Sequence, residues 1–162
     1  MTTIWRVIHI FSGVLWMGSF AVFTLFISPS ARKLGDEARP FMQALLKTRL
    51  IESLLSVGVA TVVSGLFLYA GRFGEVELST RSGLWLTVGG LAGITALLVG
   101  YTFGARSNLR MRALAAEIAG SGGPPSAGQT AEMQRLQARV VRIGTPMLVL
   151  FAIALLGMAL GG

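Results

Sequence analysis

Cysteine is missing from all 162 residues, and with it any disulfide, thiolate metal site or cysteine nucleophile. Histidine occurs once, at His9, so one chain cannot build a multi-histidine metal cluster. Charge is scarce: 13% of residues are charged, seven acidic and fourteen basic. The scarcity is sharpest in four long apolar stretches, where the inventory of acidic and basic groups reduces to His9 and, at the inner edge of the second, Glu52. Glu52 lies within a turn of Arg49 and can reach the interface as its ion-pair partner. A proton pump, an ion-coupled transporter or a voltage sensor needs charged groups at mid-depth, which these stretches do not offer. Paired carboxylates and a Ser-His-Asp set are also absent from them, so no catalytic residue is assigned.

What the chain has instead is apolar bulk, with 53% hydrophobic residues and a positive mean hydropathy. The apolar runs, about 7–28, 51–70, 83–104 and 143–160, are the cores of spans placed at about 5–29, 50–70, 83–105 and 141–160. Each is close to the roughly 20 residues a helix needs to cross about 30 Å of hydrocarbon. The expectation is an all-α fold, a single integral membrane domain over residues 1–162 built as a four-helix bundle. Pro29 fits the end of the first span. The opening reads as a retained anchor, because its apolar run exceeds the roughly 7 to 15 residues of a secretion-signal core.

The net charge of +7 resides in the connections. The first holds Arg32, Lys33, Arg39, Lys47 and Arg49 against Asp36 and Glu37; Pro40 and the apolar Phe41, Leu45 and Leu46 predict a short interfacial helix or an early start to the second span. The second, residues 71–82, has Arg72 and Arg81 with Glu75 and Glu77. The third carries Arg106, Arg110, Arg112, Arg135, Arg139 and Arg142. Retention of positive side chains in the cytoplasm puts the first and third connections inside and both termini outside, in what the pattern suggests is a bacterial inner membrane. Such cations face anionic lipid headgroups and form no basic face for nucleic acid. Met111, Leu114 and Ile118, then Met133, Leu136 and Val140, extend the last two spans into a cytoplasmic helical hairpin. A Gly/Ser/Pro-rich linker at 120–129 forms its tip. The hairpin reads as a solvated basic stalk or as a docking surface for another protein.

Close packing is expected where small residues recur. Gly89, Gly93, Ala96, Gly100 and Gly104 form such a stripe on the third span, and Ser53, Ser56, Ala60 and Ser64 a matching one on the second. Gly157 and Gly161 fall too near the end of the last span to carry weight. On this reading Gly93 is a point of helix contact.

The first span carries the distinctive constellation. At about 100° per residue, Trp5, His9, Ser12, Trp16, Ser19 and Phe23 share one stripe of a helix, with Gly13 beside it. His9 then lies about one turn below the outer surface, where an imidazole needs a partner. Three readings stay open. The ring donates to a backbone carbonyl or to Ser12, near Glu75 or Glu77. Or it is an axial ligand of haem b, with Gly13 making room and Trp5, Trp16 and Phe23 packing on the macrocycle. Or it holds copper together with the thioether of Met17, although the two side chains are about 80° apart around the helix. A six-coordinate haem needs a second ligand: Met147 or Met158 of the last span, the His9 of a second copy, or a residue of another subunit.

His9-Ile10-Phe11-Ser12-Gly13-Val14-Leu15-Trp16-Met17-Gly18, followed by Phe23, Phe26, Pro29 and Arg32, resembles the first span of the CopD-like membrane proteins. That group is similar to the HemJ-type protoporphyrinogen oxidases and to the membrane part of some urate oxidases. Val63-Ser64-Gly65-Leu66 and Gly83-Leu84-Trp85-Leu86 look like its next landmarks, so the resemblance covers about residues 5–105. It implies a haem- or copper-associated helix bundle with His9 as the residue carried over. HemJ-type enzymes carry a lysine early in the third span, where this chain reads Trp85-Leu86-Thr87-Val88, so the oxidase activity is not carried over. Copper-handling members offer more methionine or histidine on the outer side than this chain does. The expectation is a small b-haem-binding or accessory subunit of a membrane redox complex, partnered by the bilayer and by another complex or a second copy. The alternatives are a copper-entry protein and a structural subunit that docks through its hairpin.

Overall fold

The computed structural model describes residues 2–71 and 80–161, all in helices and short turns, with no strand among them. Five elements follow in order. Helix α1 occupies residues 2–34, as Thr2–Val22, a π-helical turn Phe23–Ile27 and a last segment Ser28–Leu34. A 3-10 turn, Gly35–Ala38, leads to the short α2, Arg39–Lys47. Helix α3 is Leu50–Ala70, α4 spans 81–120 with a π-helical turn at Gly100–Ala105, and α5 is Ala127–Gly161. Four helices are long and apolar enough to cross a membrane, which makes this a membrane-type helix bundle. Arg72, Gly74, Glu75 and Glu77 of the second connection lie outside the described residues.

Helix ends follow local chemistry. Pro29 does not end α1. Its ring would collide with the carbonyl four residues back, that of Leu25, and this carbonyl belongs to the π-helical turn, whose wider winding gives room. The helix ends five residues later at Leu34, and Gly35 follows with a φ of +58° that suits a residue without Cβ. Pro40 sits in the first turn of α2, where a missing N–H costs nothing. Thr80 caps α4 by accepting from the Gly83 N–H at 3.1 Å. The linker is shorter than 120–129. Ser126 Oγ accepts from Gln129 N–H, and Gln129 Oε1 accepts from Ser126 N–H; this reciprocal cap starts α5 at Ala127.

The helices pack as two antiparallel pairs, α1 with α3 and α4 with α5; contact between the pairs is sparser, and runs mainly from α3 to α4 and from α1 to α5. The seam between pairs is filled by Trp16, Ala96, Met147 and Phe151, with Trp16 edge-on to Phe151 at 4.9 Å. Beyond the spans α4 and α5 continue as a hairpin. Arg110 donates to both carboxylate oxygens of Glu132, at 2.8 and 3.2 Å, and to Glu117 at 2.9 Å. Arg112 reaches Glu52 at 2.8 Å and ties the hairpin to the base of α3, so Arg112 takes the place expected of Arg49.

The small stripe of α4 packs on α5, not on the serine stripe of α3. A Cβ added to Gly157 would lie 2.5 Å from Gly89 Cα and 2.6 Å from the Trp85 carbonyl oxygen. One added to Gly161 would lie 2.6 Å from Leu86 N and 2.7 Å from the Ser82 carbonyl oxygen. Gly157 and Gly161 are spaced four apart and present bare backbone, which lets the helices meet where apolar burial contributes little. Gly93, by contrast, has open space where its side chain would be. It lies to one side of the face set by Gly89, Ala92 and Ala96, and is not a contact point.

Candidate functional site

His9 projects from α1 onto α3. Its ring lies against Gly65, where an added Cβ would stand 2.8 Å from Cε1 and 3.2 Å from Nδ1. Only glycine leaves that room. Nδ1 is 2.7 Å from the Thr61 carbonyl oxygen and 3.4 Å from Ser64 Oγ. A carbonyl oxygen only accepts, so Nδ1 carries the proton and donates to Thr61 O. Thr61, Ser64 and Gly65 fall at i, i+3 and i+4 on α3, one face of a helix. Beside them Thr61 Oγ1 is 2.9 Å from Ser12 Oγ, and Ser12 Oγ donates to Ile8 O at 2.6 Å. Ser12, Thr61 and Ser64 are all buried. The imidazole thus donates to a backbone carbonyl, and the nearby hydroxyl is that of Ser64 rather than Ser12.

The second nitrogen defines the chemistry. Nε2 faces Met158 Sδ of α5 at 3.5 Å, with both residues half-buried in the seam between α1 and α5. With the proton on Nδ1, a neutral ring presents a lone pair at Nε2, and a thioether sulfur is itself an acceptor. Two acceptors therefore face each other with no proton between them. A proton on Nε2 would supply a donor, but at the cost of an imidazolium in apolar surroundings. A soft cation would join the two without that cost, and the Nδ1–H···O=C bond aims the ring in the way metal-binding imidazoles are held.

The other sequence-predicted residues are engaged elsewhere. Trp5 stacks on Phe67 at 4.4 Å. Gly13 faces the Thr61 methyl group. Trp16 is 5% exposed, seated on Gly58 and Phe151 in the core. Phe23 stands fourteen residues from His9, about 21 Å along a helix, and lines a groove at the far end of the bundle. Met17 packs against the core cluster, and the sulfur that meets His9 is that of Met158. Met147, the other methionine considered as a second ligand, is 1% exposed in the core beside Gly100. Thr61 carries no signal of its own in the sequence; the Ser64-Gly65 pair does, since two small residues at a helix end permit a neighbouring ring to approach.

Haem at His9 fits this arrangement poorly. Two axial bonds of about 2 Å each, with the macrocycle between, need Nε2 and Sδ more than about 4 Å apart and a cleared slab around them. Gly65 already lies against the imidazole, and the residues expected to pack on the macrocycle are held in other contacts. A bare ion asks for less. With bonds of about 2.0 Å to nitrogen and about 2.3 Å to sulfur, a 3.5 Å separation corresponds to an angle of about 110° at the ion. No group of three or more His, Cys, Asp or Glu side chains able to hold a metal occurs among the described residues, so the nitrogen–thioether pair is the donor set to weigh. The fold and site together define an all-helical, membrane-type bundle with an imidazole–thioether contact at the end that carries residues 2 and 161. Compared with protein-family models, curated proteins and solved structures, the chain matches none.

Proposed function

We propose that this chain is a membrane protein of the CopD-like type that takes a monovalent copper ion at His9 and Met158, on the outer side of a bacterial inner membrane. The observation that carries the reading is the opposition of Nε2 and Sδ at 3.5 Å with the ring's proton on the other nitrogen. Imidazole with thioether favours Cu(I) over harder divalent ions, and the sulfur comes from the last span, which the His9 stripe alone does not contain. The site lies at the termini's end of the bundle, which the excess of Lys and Arg at the opposite end assigns to the outside. The spans carry no acidic or basic residue at mid-depth, so the proposal is capture of the ion at the outer face.

Competition between the detergent-purified protein and a chromogenic Cu(I) chelator, under reductant, tests it. One ion per chain is expected, with affinity falling at least tenfold in His9→Ala and in Met158→Leu and unchanged in Met17→Leu. Retention of wild-type affinity in His9→Ala overturns the proposal. A Soret band in the purified protein, lost in His9→Ala, would favour the b-haem reading instead. The accessory-subunit reading draws on a separate observation, the Arg110-clamped hairpin, and is favoured by colourless protein that copurifies stoichiometrically with another membrane complex. Cysteines placed at Thr3 and Gly123 label from opposite sides of the membrane if the assigned orientation holds.

A further inference from the structure

Between α1, α2 and α3, at the hairpin end, lies a groove of about 340 Å³. Val22, Phe23, Ile27, Leu45, Leu50 and Leu54 line it, and no charged side chain enters it. Its size is at the small end of the range for ligand pockets. The groove exists because the chain turns back at Gly35 and brings Leu45 of α2 over α1, and because Gly18 leaves open space beside it. Leu45 and Leu50, both in its lining, are joined by a turn that carries Lys47 and Arg49. Both are exposed, and neither forms an ion pair among the described residues, whereas Arg39, Arg110 and Arg112 each hold a carboxylate. Glu52, one turn into α3, is taken by Arg112.

A second groove offers an internal contrast. It measures about 320 Å³ and is bounded by Phe26, Leu34 and Phe41 on the other side of Ile27, but its lining includes the Glu37 carboxylate. The two are alike in size and in their apolar lining; they differ in that the second has a carboxylate in its lining and the first has no charged side chain there. An apolar slot at interfacial depth with two exposed cations on the adjoining turn suits a lipid that is negative at the head, and a slot lined by a carboxylate does not.

We infer that the groove under α2 holds an acyl chain of an anionic phospholipid, whose phosphate headgroup rests on Lys47 and Arg49. The inference is independent of any metal at His9. Titration of the detergent-purified full-length chain with phosphatidylglycerol and with phosphatidylcholine, read by native mass spectrometry, tests it. Phosphatidylglycerol is expected to remain on the chain with at least tenfold preference. The double variant Lys47→Gln/Arg49→Gln should reduce that preference to within about twofold while leaving the melting temperature unchanged, since both side chains are exposed. Leu54→Trp, which fills the groove, should weaken both lipids. Equal retention of the two lipids by the wild type, or undiminished phosphatidylglycerol binding in the double variant, overturns the inference.

Discussion

Between α4 and α5 the backbones touch: Gly157 stands over Gly89 and Trp85, and Gly161 over Ser82 and Leu86, with the Ser82 hydroxyl donating to the Gly161 carbonyl at 2.8 Å. Between α1 and α3 side chains do the joining, through the His9 ring on Gly65, Trp16 on Gly58 and the hydroxyls of Ser12 and Thr61. Both pairs answer the same difficulty, which is that lipid offers helices little reward for burying apolar surface. The first answer is mainly bare packing, with the Met158 thioether of α5 turned away from the seam toward α1. The second uses polar side chains, and one of them, the imidazole, is left with a lone pair that its own pair of helices does not use. Reactive capacity therefore sits on the pair held by side chains, and rigidity on the pair held by glycine.

The contrast can be broken most strongly at Gly157. Gly157→Leu should prevent stable folding, and Gly157→Ala should already cost about 1–3 kcal/mol because backbone must move. Gly93→Leu, facing open space, should shift thermal unfolding in detergent by less than about 0.5 kcal/mol. Equal effects at the two glycines would refute the glycine seam. Next comes Gly65→Ala, which drives a methyl group into the imidazole. A stability loss of about 1 kcal/mol is expected together with at least a tenfold loss of Cu(I) affinity, and normal copper binding would show that the His9 pose is not needed. Thr61→Val keeps the carbonyl that receives Nδ1–H and removes only the hydroxyl. It should cost about 0.6 kcal/mol, the usual worth of one interhelical bond in lipid, and leave copper binding intact.

The smallest effect is expected in the hairpin. Two hydrogen bonds from Arg110 hold the Glu132 carboxyl below its usual range, so the pairing is present above the unfolded value of about 4.3 and lost as pH falls through the lower folded one. Both groups are exposed, so the change should be confined to faster amide exchange in 106–120 and 127–141 at acid pH. It should be absent in Arg110→Ala.

Much of this architecture is readable without coordinates. Runs of apolar residues reveal spans because the bilayer imposes their length, and the heptad-like Met111, Leu114, Met133 and Leu136 reveal the hairpin because two helices outside lipid must bury a stripe. Rotation about the helix axes is less legible. Hydropathy is nearly uniform around each span, so nothing in the one-dimensional pattern says that Gly89 meets Gly157 or that Gly93 looks away. The His9 stripe was legible as a stripe, yet its aromatic members part company: Trp5 goes to Phe67, Trp16 to the core and Phe23 to the interfacial groove. Met158 entered only as one of several second ligands, since its approach to His9 depends on how two helices from opposite ends of the chain are brought together. The π-helical turn before Pro29 was hidden for a similar reason, as the proline marks a break but does not say how the chain winds around it.

The glycine seam also has a mechanical side. Where Gly157 and Gly161 lie, backbone meets backbone and α4 and α5 hold no layer of side chains that can switch rotamers, so this end of the pair is stiff, whereas toward the hairpin Met147 and Ile143 fill the interface. Rocking at the stiff end then takes place against α1 and α3. A tilt of that kind would open or shut the gap between His9 and Met158.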